Sequence, residues 1–197
     1  LHTETLKKDW ITSIPKEDIV RKIYICYPTK AFLGKEEIGF QIFDEISRFF
    51  NIPYSSIQVV GSAKTGESYY KFTEFSQGSS DLDIAIISPE LYLKYMELSF
   101  KVTKGYSDQT KFKINKHRQS DIHQFKKCIS QGIFRPDLMP SCTEKTEWWK
   151  FFNKLSNRYH DLFKNINAGI YATQYFFEFK QIEALTKYME RIGGSSL

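Results

Sequence analysis

The stretch Ile57 to Ser88, IQVVGSAKTGESYYKFTEFSQGSSDLDIAIIS, constrains this chain most. Ile57-Gln58-Val59-Val60 is rich in residues that suit a pleated surface, and it runs directly into Gly61-Ser62. Asp83 to Ile87 is apolar after its first residue, with no polar alternation. A strand of that kind is buried on both faces and needs packing on each side. The surrounding sequence supplies it, because helical and strand patterns alternate along the chain.

Glu36 to Asn51 carries Ile38, Ile42, Phe43, Ile46, Phe49 and Phe50 at three- and four-residue spacing, so it is predicted as a helix closed by Asn51 and Pro53. Ser13 to Asp18 offers a helix start, with Ser13 as cap and Pro15 in the first turn. Further helices are expected over Glu90 to Lys104, Asp121 to Ser130, Thr143 to Lys164 and Phe176 to Ile192. Short strands are expected at Gly132 to Asp137, where Pro136 demands an edge, and at Ile166 to Tyr171. The predicted class is α/β (α+β): a short sheet flanked by helices. Residues 1–35 are a lead-in, 36–142 the core of the fold, and 143–192 a helical C-terminal region packed on it, all in one domain.

Composition agrees with a folded domain: hydrophobic residues make up 41% and aromatics 16%, enough for a core. The net charge of +5 permits a polyanionic partner without requiring one. Five of the basic residues lie between Lys104 and Arg118 against a single Asp108, which reads either as a solvated loop or as a nucleic-acid contact. Cys26, Cys128 and Cys142 are widely spaced and odd in number, which argues against a disulfide framework and fits a reducing cytoplasm. No run is long enough to span a membrane, and the first ten residues lack an apolar signal core.

The chemistry-bearing residues follow. Side chains two apart on a strand share a face, so Asp81 and Asp83 project together. Paired carboxylates repel unless a cation sits between them, and an oxygen-only set selects Mg²⁺ or Mn²⁺ over zinc. The same residues also read as an ordinary polar turn before a buried strand. An EF-hand is excluded, because Ala85 and Ile86 stand where a ligand and a glycine are required. Gly61-Ser62 after a strand suits close approach of a phosphate, with Lys64 within reach. Gly61 to Gly66 has the glycine spacing of a P-loop, but Glu67 stands where that loop needs Lys, so the P-loop is rejected.

Strand, Gly61-Ser62, an intervening segment, then Asp81-Leu82-Asp83-Ile84 opening a second strand is an order that resembles the polymerase-β-like nucleotidyltransferase superfamily. The resemblance implies the nucleotidyltransferase fold, with a mixed sheet and a helical C-terminal cap. It also implies a Gly-Ser turn holding the triphosphate of an NTP, and two Mg²⁺ ions on the aspartates that activate an acceptor hydroxyl and stabilise pyrophosphate. A third carboxylate on a neighbouring strand is part of that pattern. Asp137 has the right place in the order, with Asp121 and Asp108 as rivals. Eighteen residues separate Ser62 from Asp81, more than in the shortest members, so residues 63–80 must form a long loop or hairpin. Its Tyr69, Tyr70 and Phe72 either stack on a nucleobase or anchor the loop.

The expected activity is therefore transfer of a nucleoside monophosphate from an NTP, ATP among them, to a hydroxyl on RNA, tRNA, protein, a nucleotide or a small molecule. Small stand-alone members of the superfamily resemble toxin or phage-defence components, which extends the expectation to antiviral defence. The rival is a silent NTP-sensing or interaction module of the same fold. A non-catalytic RNA-binding domain would leave Asp81 and Asp83 dispensable.

Overall fold

The computed structural model describes residues 1–114 and 120–194. Four strands make one open mixed sheet: β1 (Ile57–Val60), β2 (Leu82–Ile87), β3 (Ile133–Phe134) and β4 (Ile166–Tyr171), in the order β1-β2-β4-β3. β1 is antiparallel to β2, β2 parallel to β4, and β3 antiparallel to β4. β2 and β4 are therefore the interior strands. β4 belongs to the segment expected to cap the core, yet it lies within the sheet, followed by the helical C-terminal segment.

The α-helices among the described residues are α1 (His2–Ile11), α2 (Lys16–Val20), α3 (Glu36–Phe50), α4 (Ser62–Thr65), α5 (Pro89–Val102), α6 (Ile122–Ser130), α7 (Thr143–Arg158) and α8 (Gln174–Gly194). α2 continues as a π-helical turn, Arg21–Cys26.

The apolar run in β2 is buried on both faces, as its lack of alternation predicts. Leu82, Ile84 and Ile86 pack with Ile42, Ile46, Trp148 and Phe152 in one core. Ala85 points the other way, into a second core with Leu6, Ile19, Ile23, Phe177 and Leu185. The sheet is thus a layer between two helical layers.

Helix ends follow local chemistry. Asn51 closes α3 in the left-handed conformation (φ 52°), which Asn tolerates better than most residues. Ser88 caps α5: its side chain accepts from the Leu91 amide at 3.2 Å, and Pro89 opens the helix. Ser88 is 6% exposed, so water cannot replace that bond. Ser88→Ala should cost about 1 kcal/mol, read as a lower denaturation midpoint at unchanged slope.

Three boundaries differ from the sequence reading. Ser13 does not cap α2. It takes a left-handed conformation (φ 56°) and belongs to the end of α1, where Ile14 N–H donates to the Asp9 carbonyl at 3.1 Å. α2 starts after Pro15 instead. The strand expected over residues 132–137 is two residues long, because Pro136 offers no amide and Leu138 N–H turns back to the Arg135 carbonyl. α7 ends at Arg158 rather than near Lys164. The chain leaves it to run beside residues 78–80, with Gly78 N–H donating to Leu162 O and Lys164 N–H to Ser80 O.

The 63–80 segment is a folded hairpin-like turn. Ser68 N–H donates to Thr73 O at 2.8 Å, Phe75 N–H donates to Gly66 O at 2.8 Å, and Glu67 bridges Glu74. Of the basic stretch, residues 115–118 lie outside the described residues, as do residues 195–197. All three cysteines are free thiols.

Candidate functional site

Antiparallel pairing of β1 with β2 sets Val60 opposite Asp83, so the turn after β1 closes over the start of β2. Gly61 makes that turn with φ +67° and ψ −158°, a region that side-chain-bearing residues avoid. A Cβ at Gly61 would also lie 3.2 Å from Asp83 Oδ2. Both facts require glycine here: the backbone must turn in the mirror region while pressed against a carboxylate.

Parallel pairing of β2 with β4 adds the other half of the site. Leu82 pairs with Ile166 and Asp83 with Asn167, so Asp81-Leu82-Asp83 lies beside Asn165-Ile166-Asn167. Leu82 N–H donates to the Asn165 carbonyl at 2.8 Å, and the Asn165 amide donates to Asp81 Oδ1 at 2.9 Å. Asn165 therefore orients Asp81. Asn167 shares a sheet face with Asp83, since paired residues on adjacent strands point the same way.

Of these residues Gly61, Asp83 and Asn167 line a cleft of about 960 Å³, while Asp81 and Asn165 stand outside its lining. Its floor includes Gly61, Asp83 and Asn167, and its walls bring Lys127 of α6, Arg135 and Lys187 of α8. Asp83 is open to solvent by area yet crowded by the protein atoms of the concave floor. That burial raises its pKa above the ordinary aspartate value. The negative charge of Asp81 raises it further, and Lys71 opposes the rise. The repulsion that Asp81 exerts on the Asp83 carboxylate is one that a divalent cation would relieve.

The remaining candidates are placed as follows. Asp137 lines the cleft but follows β3, which neighbours β4 and not β2. Its carboxylate is held by Arg135, at 3.1 Å from Nε and 2.5 Å from the terminal nitrogen. The strand position beside Asp83, where a third carboxylate was expected, holds Asn167 instead. Ser62 begins α4, half-buried next to Gly61. Lys64 is not presented to the cleft. It is 3% exposed, and its ammonium donates to the Tyr27 carbonyl at 2.7 Å. Burial lowers its pKa to about 8. The cation whose charge acts on Asp83 is Lys71 instead.

Asp108 caps a short 3-10 turn through the Thr110 amide and hydroxyl, which lower its pKa. Asp121 precedes α6 without a side-chain cap bond.

Asn165 and Asn167 were not singled out in the sequence. Their signal is the same as that of the aspartates: two polar residues, two apart, opening an apolar strand. Among the described residues, no three His, Cys, Asp or Glu side chains group so as to hold a metal. Mg²⁺ does not need such a cage, since it takes one or two carboxylates together with substrate phosphates and water. Asp81 and Asp83 with the Asn167 carbonyl oxygen fit that habit. No family model, curated protein or solved structure matches the chain. Among the described residues, no helix is long and apolar enough to cross a membrane.

Proposed function

We propose that the cleft binds an NTP with Mg²⁺ or Mn²⁺ and transfers its nucleoside monophosphate to an acceptor hydroxyl. One observation carries this reading: Gly61 is closed against Asp83, which places a close-approach backbone turn beside a paired carboxylate on the floor of the cleft. Asp81 and Asp83 would hold the metal, Asn165 would fix the first of them, and Gly61 and Ser62 would meet the phosphates. The ion, when bound, neutralises phosphate charge and lowers the pKa of the acceptor hydroxyl. Lys71, Lys127 and Lys187 add positive potential around the polyanion. The acceptor hydroxyl gives its proton to water, its oxygen bonds to the α-phosphorus, the bond from that phosphorus to the bridging β-phosphate oxygen breaks, and pyrophosphate leaves with the electron pair. The basic balance of the chain favours RNA over a protein as acceptor.

A second reading has its own observation. Asn167 is an amide and takes no proton, so the site lacks a carboxylate base on the strand beside Asp83. A silent NTP-binding module would retain the metal pair and lose transfer. Incubation with α-labelled NTP, Mg²⁺ or Mn²⁺, and cellular RNA and protein separates the two. Label in the RNA or protein fraction supports transfer. Metal-dependent NTP binding with no labelled product supports the silent module.

A further inference from the structure

The aromatics of the 63–80 turn divide into two kinds. Tyr69 is 4% exposed, and its ring lies 4.6 Å from that of Tyr188 on α8. Phe72 stacks on the same tyrosine at 5.2 Å, and the Arg191 guanidinium lies 4.0 Å from the Phe72 ring centre. Glu67 ties the turn further, accepting from Thr3 and from the Tyr188 hydroxyl. Tyr69, Phe72 and Glu67 therefore anchor the turn to α1 and α8.

Tyr70, between the two anchors, has no such role. Its side chain is 70% exposed, and it lines the same cleft as Gly61, Asp83 and Asn167. Lys187 Nζ lies 5.8 Å from its ring centre. A large aromatic ring exposed between two anchored neighbours, facing a cleft, keeps an apolar face available to a ligand.

Resting on the NTP reading above, we propose that Tyr70 is the platform on which the nucleobase stacks. The phosphates go to the floor at Gly61 and Asp83, and the base goes to the wall where the turn meets α8. Stacking uses the π-face that every base presents, so Tyr70 contributes affinity without choosing the base. The adjacent Lys187 ammonium keeps that wall electropositive.

The test compares ATP with inorganic tripolyphosphate, both with Mg²⁺, by titration calorimetry. Tyr70→Ala should weaken ATP binding by roughly tenfold or more, as loss of one base–aromatic stack does, and leave tripolyphosphate binding as in the wild type. Tyr70→Phe should restore ATP affinity, since the ring and not the hydroxyl is used. GTP, CTP and UTP should show the same loss with Tyr70→Ala. Wild-type ATP affinity in Tyr70→Ala overturns the stacking role alone. So does an equal loss for tripolyphosphate, which would mean that the turn had moved. A wild-type protein that binds neither ligand removes the NTP reading as well.

Discussion

Asp83→Ala is expected to abolish metal-dependent NTP binding and transfer, a loss on the order of 100-fold or more. Removal of groups that merely orient metal ligands costs roughly 10–100-fold, and Asp83 is placed to be a ligand itself. The same residue makes the opposite prediction for the metal-free protein. Its carboxylate sits recessed and beside Asp81, and both effects raise its proton affinity in the folded state. A raised folded pKa favours the fold below the unfolded value, and that contribution is lost as pH rises through the folded value. At neutral pH the ionised Asp83 therefore works against the fold. Asp83→Asn, of nearly the same shape, should be as stable as the wild type or more stable without metal. Its stability relative to wild type should rise as pH climbs through the elevated Asp83 value. Adding Mg²⁺ and ATP should raise the melting temperature of the wild type and leave both variants unmoved. Variants that retain an Mg²⁺-dependent shift would place the metal elsewhere and overturn the site.

Asn167→Asp is the second large effect. The substitution adds a charge on the strand beside Asp83, at the paired position and on the same face. Adjacent strands lie about 4.8 Å apart, so the new carboxylate would be close to the existing pair. Like charges directly opposite destabilise a sheet, so the metal-free variant should melt below the wild type at neutral pH and recover on acidification. With a cation present the sign reverses. A third anionic oxygen should tighten Mg²⁺ by about 10–100-fold, because a unit charge at this range is worth several kcal/mol before repulsion is subtracted. If the wild type transfers nucleotide slowly for want of a carboxylate base, the variant should also transfer faster. Unchanged Mg²⁺ affinity would show that the Asn167 face is not the metal face. Tighter Mg²⁺ without faster transfer would favour the silent module.

Much of this is written locally. The three- and four-residue spacing in α3, the lack of alternation in β2 and the glycine before Ser62 each depend on neighbours in the chain, and each is seen where the sequence places it. The class of fold follows from them, since a strand buried on both faces demands helices above and below. Asp81 and Asp83 are legible for the same reason: a period of two is a local property.

Strand order is not. Asp137 and Asn167 both follow or open short apolar runs, and nothing local says which run lies beside β2. That choice depends on pairing between segments more than 80 residues apart, β2 at Leu82–Ile87 and β4 at Ile166–Tyr171. Pairing put an amide beside Asp83 and left Asp137 to Arg135. Lys64 departs from its expected place at the cleft for a related reason. Its sequence neighbours place it in the turn, but the carbonyl that claims its ammonium belongs to Tyr27, 37 residues earlier. The sequence by itself determined the elements and the carboxylate pair, because local periodicity and turn chemistry encode them. Only the tertiary structure decided what stands next to that pair and which aromatic of the 63–80 turn stays open, because those depend on long-range strand pairing and on packing against α8.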